Sequence, residues 1–148
     1  MQKEVLIFMT SVQRGGSVGE DKLEIITAGQ YHFKNGKHYV TYDDVSEDGR
    51  TRERNIIKIR NDRAEVIKKG ETSVHMIFEK DKKNVSCYDV PYGKMMVGLE
   101  TSRMEVTEEE NLLNLRLEYR LEMDDQHIAD CLVEIRVESK DTCKVDLS

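Results

Sequence analysis

The sequence predicts an all-β domain, a single antiparallel meander of about eight to ten strands that curls into a barrel. Three observations predict it. Apolar and polar residues alternate with period 2 over long runs, giving each strand one dry and one wet face. An Asn35-Gly36 pair stands between two β-prone runs. Turn-forming residues recur about every ten positions, with one proline in the chain and no apolar stripe of helical period.

The alternation is clearest in the second half. Leu113, Leu115, Leu117, Tyr119, Leu121 and Met123 are separated by Asn114, Arg116, Glu118, Arg120 and Glu122. Ala129, Cys131, Val133, Ile135 and Val137 then alternate with Asp130, Leu132, Glu134, Arg136 and Glu138. Two such strands form a hairpin. Cross-strand partners share a face, so odd positions pair with odd ones and the loop has an odd length, either 124–126 or 124–128. Strands of about ten residues exceed the usual five or six and suit a barrel wall.

The Asn35-Gly36 pair predicts a type I′ turn, whose two central residues both take positive φ. That turn sets Phe33 opposite His38, Tyr31 opposite Val40, Gly29 opposite Tyr42 and Thr27 opposite Asp44. One face therefore carries Leu23, Ile25, Thr27, Gly29, Tyr31, Phe33, His38, Val40, Tyr42 and Asp44, and it is assigned to the interior. Tyr42 is placed to lie over Gly29, a pairing used where sheets bend. Further turns are expected at 15–19, 46–49, 61–63, 69–71, 81–84 and 107–111.

With 148 residues the chain makes one domain, 1–148, with an ordered core over 3–138 and a polar tail at 139–148. At this size about 68–70% of the unfolded chain's surface is buried, enough for a core without cross-links. Hydrophobic residues are 38% and charged residues 35% of the chain. The net charge of −6 is uneven: residues 1–49 carry −3, residues 50–83 carry +5 and residues 84–148 carry −8. A basic middle in an acidic chain is a weaker footprint than nucleic-acid binders show.

The three cysteines, Cys87, Cys131 and Cys143, are odd in number and lack a CxxC spacing, so free thiols in a reducing compartment are expected. Val5–Met9 is too short for a signal-peptide core or a membrane span. The expected location is the cytoplasm, where the Asn84-Val85-Ser86 sequon carries no meaning.

Several local patterns resemble chemical motifs. Residues 15–19 read Gly-Gly-Ser-Val-Gly, but a nucleophile at Ser17 requires a strand-to-helix elbow, and two β-like runs flank this one. Residues 44–49 begin like a calcium loop, yet Asn55 stands where the bidentate Glu belongs. His32 and His38 point to opposite faces of one hairpin, His75 faces solvent and His127 lies in a loop, so no metal site is expected. Cys131 reads as a core residue, Cys87 as a strand residue and Cys143 as part of the tail. None has a His or Lys partner to activate it.

The polar members of the inward face are the candidate site. Thr27, Tyr42 and Asp44 fall together towards one end of their hairpin. An ionised Asp is costly to bury alone. Asp44 therefore either sits wet at the rim, pairs with Arg52 or Arg54, or orients a ligand in the barrel mouth together with Tyr31, Tyr42 and Thr27.

The chain resembles the YwiB-like family of small bacterial proteins of unknown function over residues 3–138. The resemblance rests on Thr27-x-Gly29-x-Tyr31, Val40-x-Tyr42-x-Asp44, Gly70, Met76-x-Phe78, Tyr88-x-Val90-Pro91-Tyr92-Gly93 and Thr101. It departs at Val90, where a hydroxyl residue is expected, and at Lys68, where an arginine is. The resemblance implies a calycin-type barrel, similar to lipocalins and fatty-acid-binding proteins, and no assigned activity. It adds Tyr88 to the interior candidates. The Gly-x-Trp signature of secreted lipocalins is absent, as the chain has no tryptophan.

The resulting expectation is a non-catalytic, cytoplasmic barrel that binds a small, partly apolar ligand and needs no cofactor. The alternative is a solid-cored module that docks a protein partner, a second copy or RNA through the basic 50–69 strands. Neither membrane nor nucleic acid is the expected partner.

Overall fold

The structure, a computed structural model, describes residues 1, 3–15, 19–45, 48–70, 73–91 and 93–141. They form ten strands: β1 (Glu4–Gly15), β2 (Gly19–Lys34), β3 (Lys37–Val45), β4 (Arg52–Ile59), β5 (Ala64–Lys69), β6 (Val74–Phe78), β7 (Lys82–Val90), β8 (Gly93–Glu109), β9 (Leu112–Met123) and β10 (Gln126–Ser139). All belong to one antiparallel sheet in the order β6-β5-β4-β3-β2-β1-β10-β9-β8-β7. β1 and β10 pair over Val5↔Ser139 to Arg14↔Asp130, which joins the two halves of the meander. The end strands β6 and β7 pack beside each other without a ladder, so the barrel is closed except for that seam.

The expected register of the first long hairpin holds. Asn35 and Gly36 take φ of 54° and 76°, and Tyr31↔Val40 and Phe33↔His38 pair as the type I′ turn requires. The ladder stops at Gln30↔Thr41, so the expected pairs Gly29/Tyr42 and Thr27/Asp44 do not form. The strands part there because Gly29 stays with β1, opposite Val5, while Tyr42 follows β4, opposite Asn55. Freed from β3, the first half of β2 leaves Leu23 57% and Ile25 36% exposed, although both lie on the inward face.

The β9–β10 hairpin departs from expectation in its turn. The loop is Asp124-Asp125, both at positive φ, between Met123 and Gln126. An even loop would pair odd positions with even ones. A bulge between His127 and Ala129 inserts the missing residue, after which Ala129↔Leu121 and Cys131↔Tyr119 pair odd with odd. Ile128, the inserted residue, is left exposed. A second irregularity between Thr101 and Arg103 in β8 restores parity in the same way. The chain is also built beyond the expected limit of the core. Ser139 is fully buried, its N–H donates to Asn111 O, and the N–H of Lys140 donates to Glu4 O.

Successive turns of a meander alternate between the barrel's ends. The turns at 35–36, 60–63, 79–81 and 110–111 and the chain start gather at one end, those at 124–125 and between the other hairpins at the opposite end. Towards the first end the core is densely packed. Val5, Ile7, Val40, Ile57, Ile59, Ala64, Leu113, Leu115 and Val137 are all essentially inaccessible. At the second end the inward-facing Met9, Tyr42, Met76, Tyr88, Leu121, Met123 and Val133 are only partly covered. The rings of Phe78 and Tyr119 meet inside the barrel, 4.8 Å apart, although β6 and β9 are not sheet neighbours.

Candidate functional site

The open end owes its character to β3, β4 and β5. Period 2 places Asn55 on the same face as Ile57 and Ile59, and Lys68 on the same face as Ala64 and Val66. The ladders then align Tyr42 with Asn55 and Lys68, and Asp44 with Glu53. The result is a polar wall at the mouth of a mostly apolar interior. Asn55 is 2% exposed and its Nδ2 donates to Asp44 Oδ2 at 3.0 Å. Lys68 Nζ lies 3.7 Å from the same oxygen. Asp44 is thus half-exposed but neutralised. Its partners are not the expected Arg52 or Arg54: those guanidinium groups face outwards and pair with Asp43. Alternation is the reason, since an Asp at an even position of β3 and an Arg at an even position of β4 lie on opposite faces of the sheet.

Tyr42 does lie across Gly29. A Cβ built on Gly29 would stand 3.4 Å from Tyr42 Cβ, 2.6 Å from Ile7 Cδ1 and 2.5 Å from Thr41 O. With no side chain there, Tyr42 spans β2 and its hydroxyl reaches Met9 Sδ on β1 at 3.8 Å. Burial, followed by the charge of Asp44, pushes the Tyr42 phenol up to about 12. On the facing wall, Tyr88 pairs with Met95, and burial pushes it up to about 12 as well. Tyr119 is raised further, by burial first and then by Cys131.

The five predicted residues therefore separate. Tyr42, Asp44 and Tyr88 occupy the open end. Thr27 faces inwards from β2, half-buried and paired with Ile7, and its hydroxyl donates to Ala28 O. Tyr31 belongs to the closed end, where its hydroxyl is hydrogen-bonded to His38 Nδ1 at 2.7 Å. His38, 5% exposed, also sets Nε2 3.4 Å from the Glu108 carboxylate. This Tyr31–His38–Glu108 chain seals the closed end beneath the exposed Phe33 ring, 5.0 Å from His38.

Sequence reasoning missed Asn55, Glu53 and the pairing of Lys68. Asn55 was recoverable, because it continues the alternation of Ile57 and Ile59. Glu53 and Lys68 were not, because isolated charged residues at strand ends ordinarily face water.

Other motifs resolve as structure. His32 stacks on Tyr39 on the outer face, 4.8 Å between centroids, and His75 faces out against Glu65. His127 lies in β10, beside Asp130. Among the described residues no three His, Cys, Asp or Glu side chains group to hold a metal. Cys131 is buried and Cys87 exposed, both free. Ser17, part of the 44–49 loop and Cys143 lie outside the described residues. A groove of about 350 Å³ runs along the outside where β2 and β3 part, lined by charged and main-chain groups including Glu4, Asp43, Arg54 and Lys140.

Comparison with known proteins places the chain. The profile of DUF1934, a domain of unknown function, matches residues 7–135. The crystal structure of the ywiB protein from Bacillus subtilis is similar with a TM-score of 0.79 at 18% identity, over 93% of this chain and 92% of that one. No curated protein matches the chain. The chain belongs to the DUF1934 family, and it shares its fold with the Bacillus subtilis protein.

Proposed function

We propose that this DUF1934 chain is a non-catalytic barrel that holds a small, partly apolar ligand in its open end, in the manner of calycins, and that it works in the cytoplasm. One observation carries the reading: towards the open end Met9, Tyr42, Met76, Tyr88, Leu121, Met123 and Val133 are only partly covered, although Val97 and Leu99 there are fully buried. A stability-driven core has no reason to stop short, since uncovered Met9, Met76, Leu121 and Val133 forgo the transfer free energy of burial. Ligand sites are concave, mostly apolar and equipped with a few placed polar groups. Tyr42, the Asp44–Asn55–Lys68 cluster and Tyr88 supply such groups on facing walls. Asp44 already accepts a hydrogen bond and an ion pair, which suits an orienting group better than a reacting one.

A thermal-shift screen against lipids, nucleotides and metabolites tests the proposal. A partly apolar compound is expected to raise Tm in proportion to the logarithm of its concentration, and Tyr42→Ala should lose the response. A crystal structure with the open end filled by the chain's own side chains would end this reading.

The second reading, docking of a protein, a second copy or RNA, draws on the outer face. There Lys58 lies over the Tyr39 ring that His32 stacks on, and Lys37, Arg60 and Arg63 surround them with Glu65 as the acidic member. Salt-sensitive capture of a partner, abolished by Lys58→Glu, would favour it.

A further inference from the structure

Four buried side-chain polar atoms among the described residues have no hydrogen-bond partner: Glu53 Oε2, Asn84 Nδ2, Thr101 Oγ1 and Arg116 Nε. Buried polar atoms are ordinarily satisfied, so each orphan asks for a missing partner. The ladders place the first three on the inward face and Arg116 on the outward one, beside Glu134 and Glu105. The interior therefore holds unmet hydrogen-bonding capacity that the chain's own residues do not supply.

Glu53 is the orphan at the open end. It stands opposite Asp44 in the β3–β4 ladder. Gly70 gives it room: a Cβ there would come within 2.6 Å of Glu53 Cγ and 3.2 Å of its Cβ. The carboxylate is thus laid over a glycine, with one oxygen out of reach of water and facing no donor. The nearby cation is already engaged, as Lys68 pairs with Asp44. Among the described inward-facing residues of this wall, two carboxylates stand against one ammonium. An acceptor in a part-buried, low-dielectric site attracts a positive donor far more strongly than it would in water, and repels an anion equally.

We propose that the ligand of the open end is a cationic amphiphile: a primary or secondary ammonium group, paired with the Glu53 carboxylate, on an apolar body that covers Met9, Met76 and Val133. This rests on the reading of the open end as a ligand site and adds the head-group chemistry. It excludes fatty acids, whose carboxylate would meet Glu53 and Asp44.

The test is isothermal titration of the full chain with decylamine, decanol and decanoate, all below their micellar concentrations. The amine is expected to bind about tenfold more tightly than the alcohol, and the carboxylate most weakly. Glu53→Gln should collapse the amine's margin over the alcohol. Lys68→Met, which removes the competing cation, should widen it several-fold, and either variant alone decides the matter if the other fails to fold. An alcohol or carboxylate that binds as tightly as the amine overturns the head-group assignment while leaving the ligand site standing. Absence of binding by all three overturns both.

Discussion

The two ends of this barrel are built from the same strands and the same alternation, yet they behave oppositely. At the closed end most inward positions are filled, and Tyr31, His38 and Glu108 are linked in one chain. At the open end the inward positions carry Tyr42, Asp44, Glu53, Asn55 and Lys68, and water reaches Met9 and Val133. The divergence of β2 from β3 after Gln30↔Thr41 contributes to the difference, because it removes the cover that Leu23 and Ile25 would otherwise share. The inward positions are mainly apolar at one end, whereas a polar wall stands at the other.

Truncation separates the ends most sharply. Leu115→Ala, in a fully buried site, is expected to cost about 2–5 kcal/mol by urea unfolding, the range for emptied core positions. Val133→Ala at the open end should cost under about 1 kcal/mol, since less surface is lost and water fills the gap. Equal losses would mean that both ends are packed alike. Next in size is Gly29→Ala. Its Cβ would press on Thr41 O and Ile7 Cδ1, so about 1–3 kcal/mol of destabilisation is expected. A neutral result would show that Tyr42 does not depend on the bare glycine. Asn55→Ala removes the donor that holds Asp44, and about 1 kcal/mol should be lost at neutral pH.

Alkaline titration distinguishes the tyrosines. Tyr42 and Tyr88 stay protonated in the native chain up to about 12, whereas unfolded tyrosine ionises near 10. The native state then binds more protons than the unfolded state, so stability is intact below about pH 10 and falls as pH rises towards 12. Absorbance at the tyrosinate band should show both ionising late. Normal ionisation of Tyr42 and Tyr88 would place their hydroxyls in open water. The smallest effect belongs to the outside: Arg103→Ala, which breaks exposed pairs with Glu105 and Glu118, should change Tm by less than the error of most scans.

Much of this architecture is legible in the sequence, because a period of two is enough to fix faces. Leu113 to Val137 and the Asn35-Gly36 hairpin could be assigned residue by residue, and Tyr42 could be set over Gly29. What alternation does not carry is where a ladder stops or slips. The bulge at Ile128 corrects the parity of a two-residue turn, and no local signal distinguishes that from a longer loop. The parting of β2 and β3 likewise depends on which neighbour, β1 or β4, holds each strand. Asp44 illustrates the consequence. Its inward direction was readable, but its partners came from two strands whose register follows from the whole barrel. Glu53 could not be found from sequence at all, because its burial depends on contact with Gly70.

The contrast between the ends can be measured directly through the seven methionines. With the methionine methyl groups labelled for NMR, titration with decylamine should shift Met9, Met76 and Met123, which line the open end. Met104, buried in the interior away from the mouth, and Met96, exposed on the outer face, should stay in place. Shifts confined to Met96, or spread evenly over all seven, would contradict a binding site inside the open end.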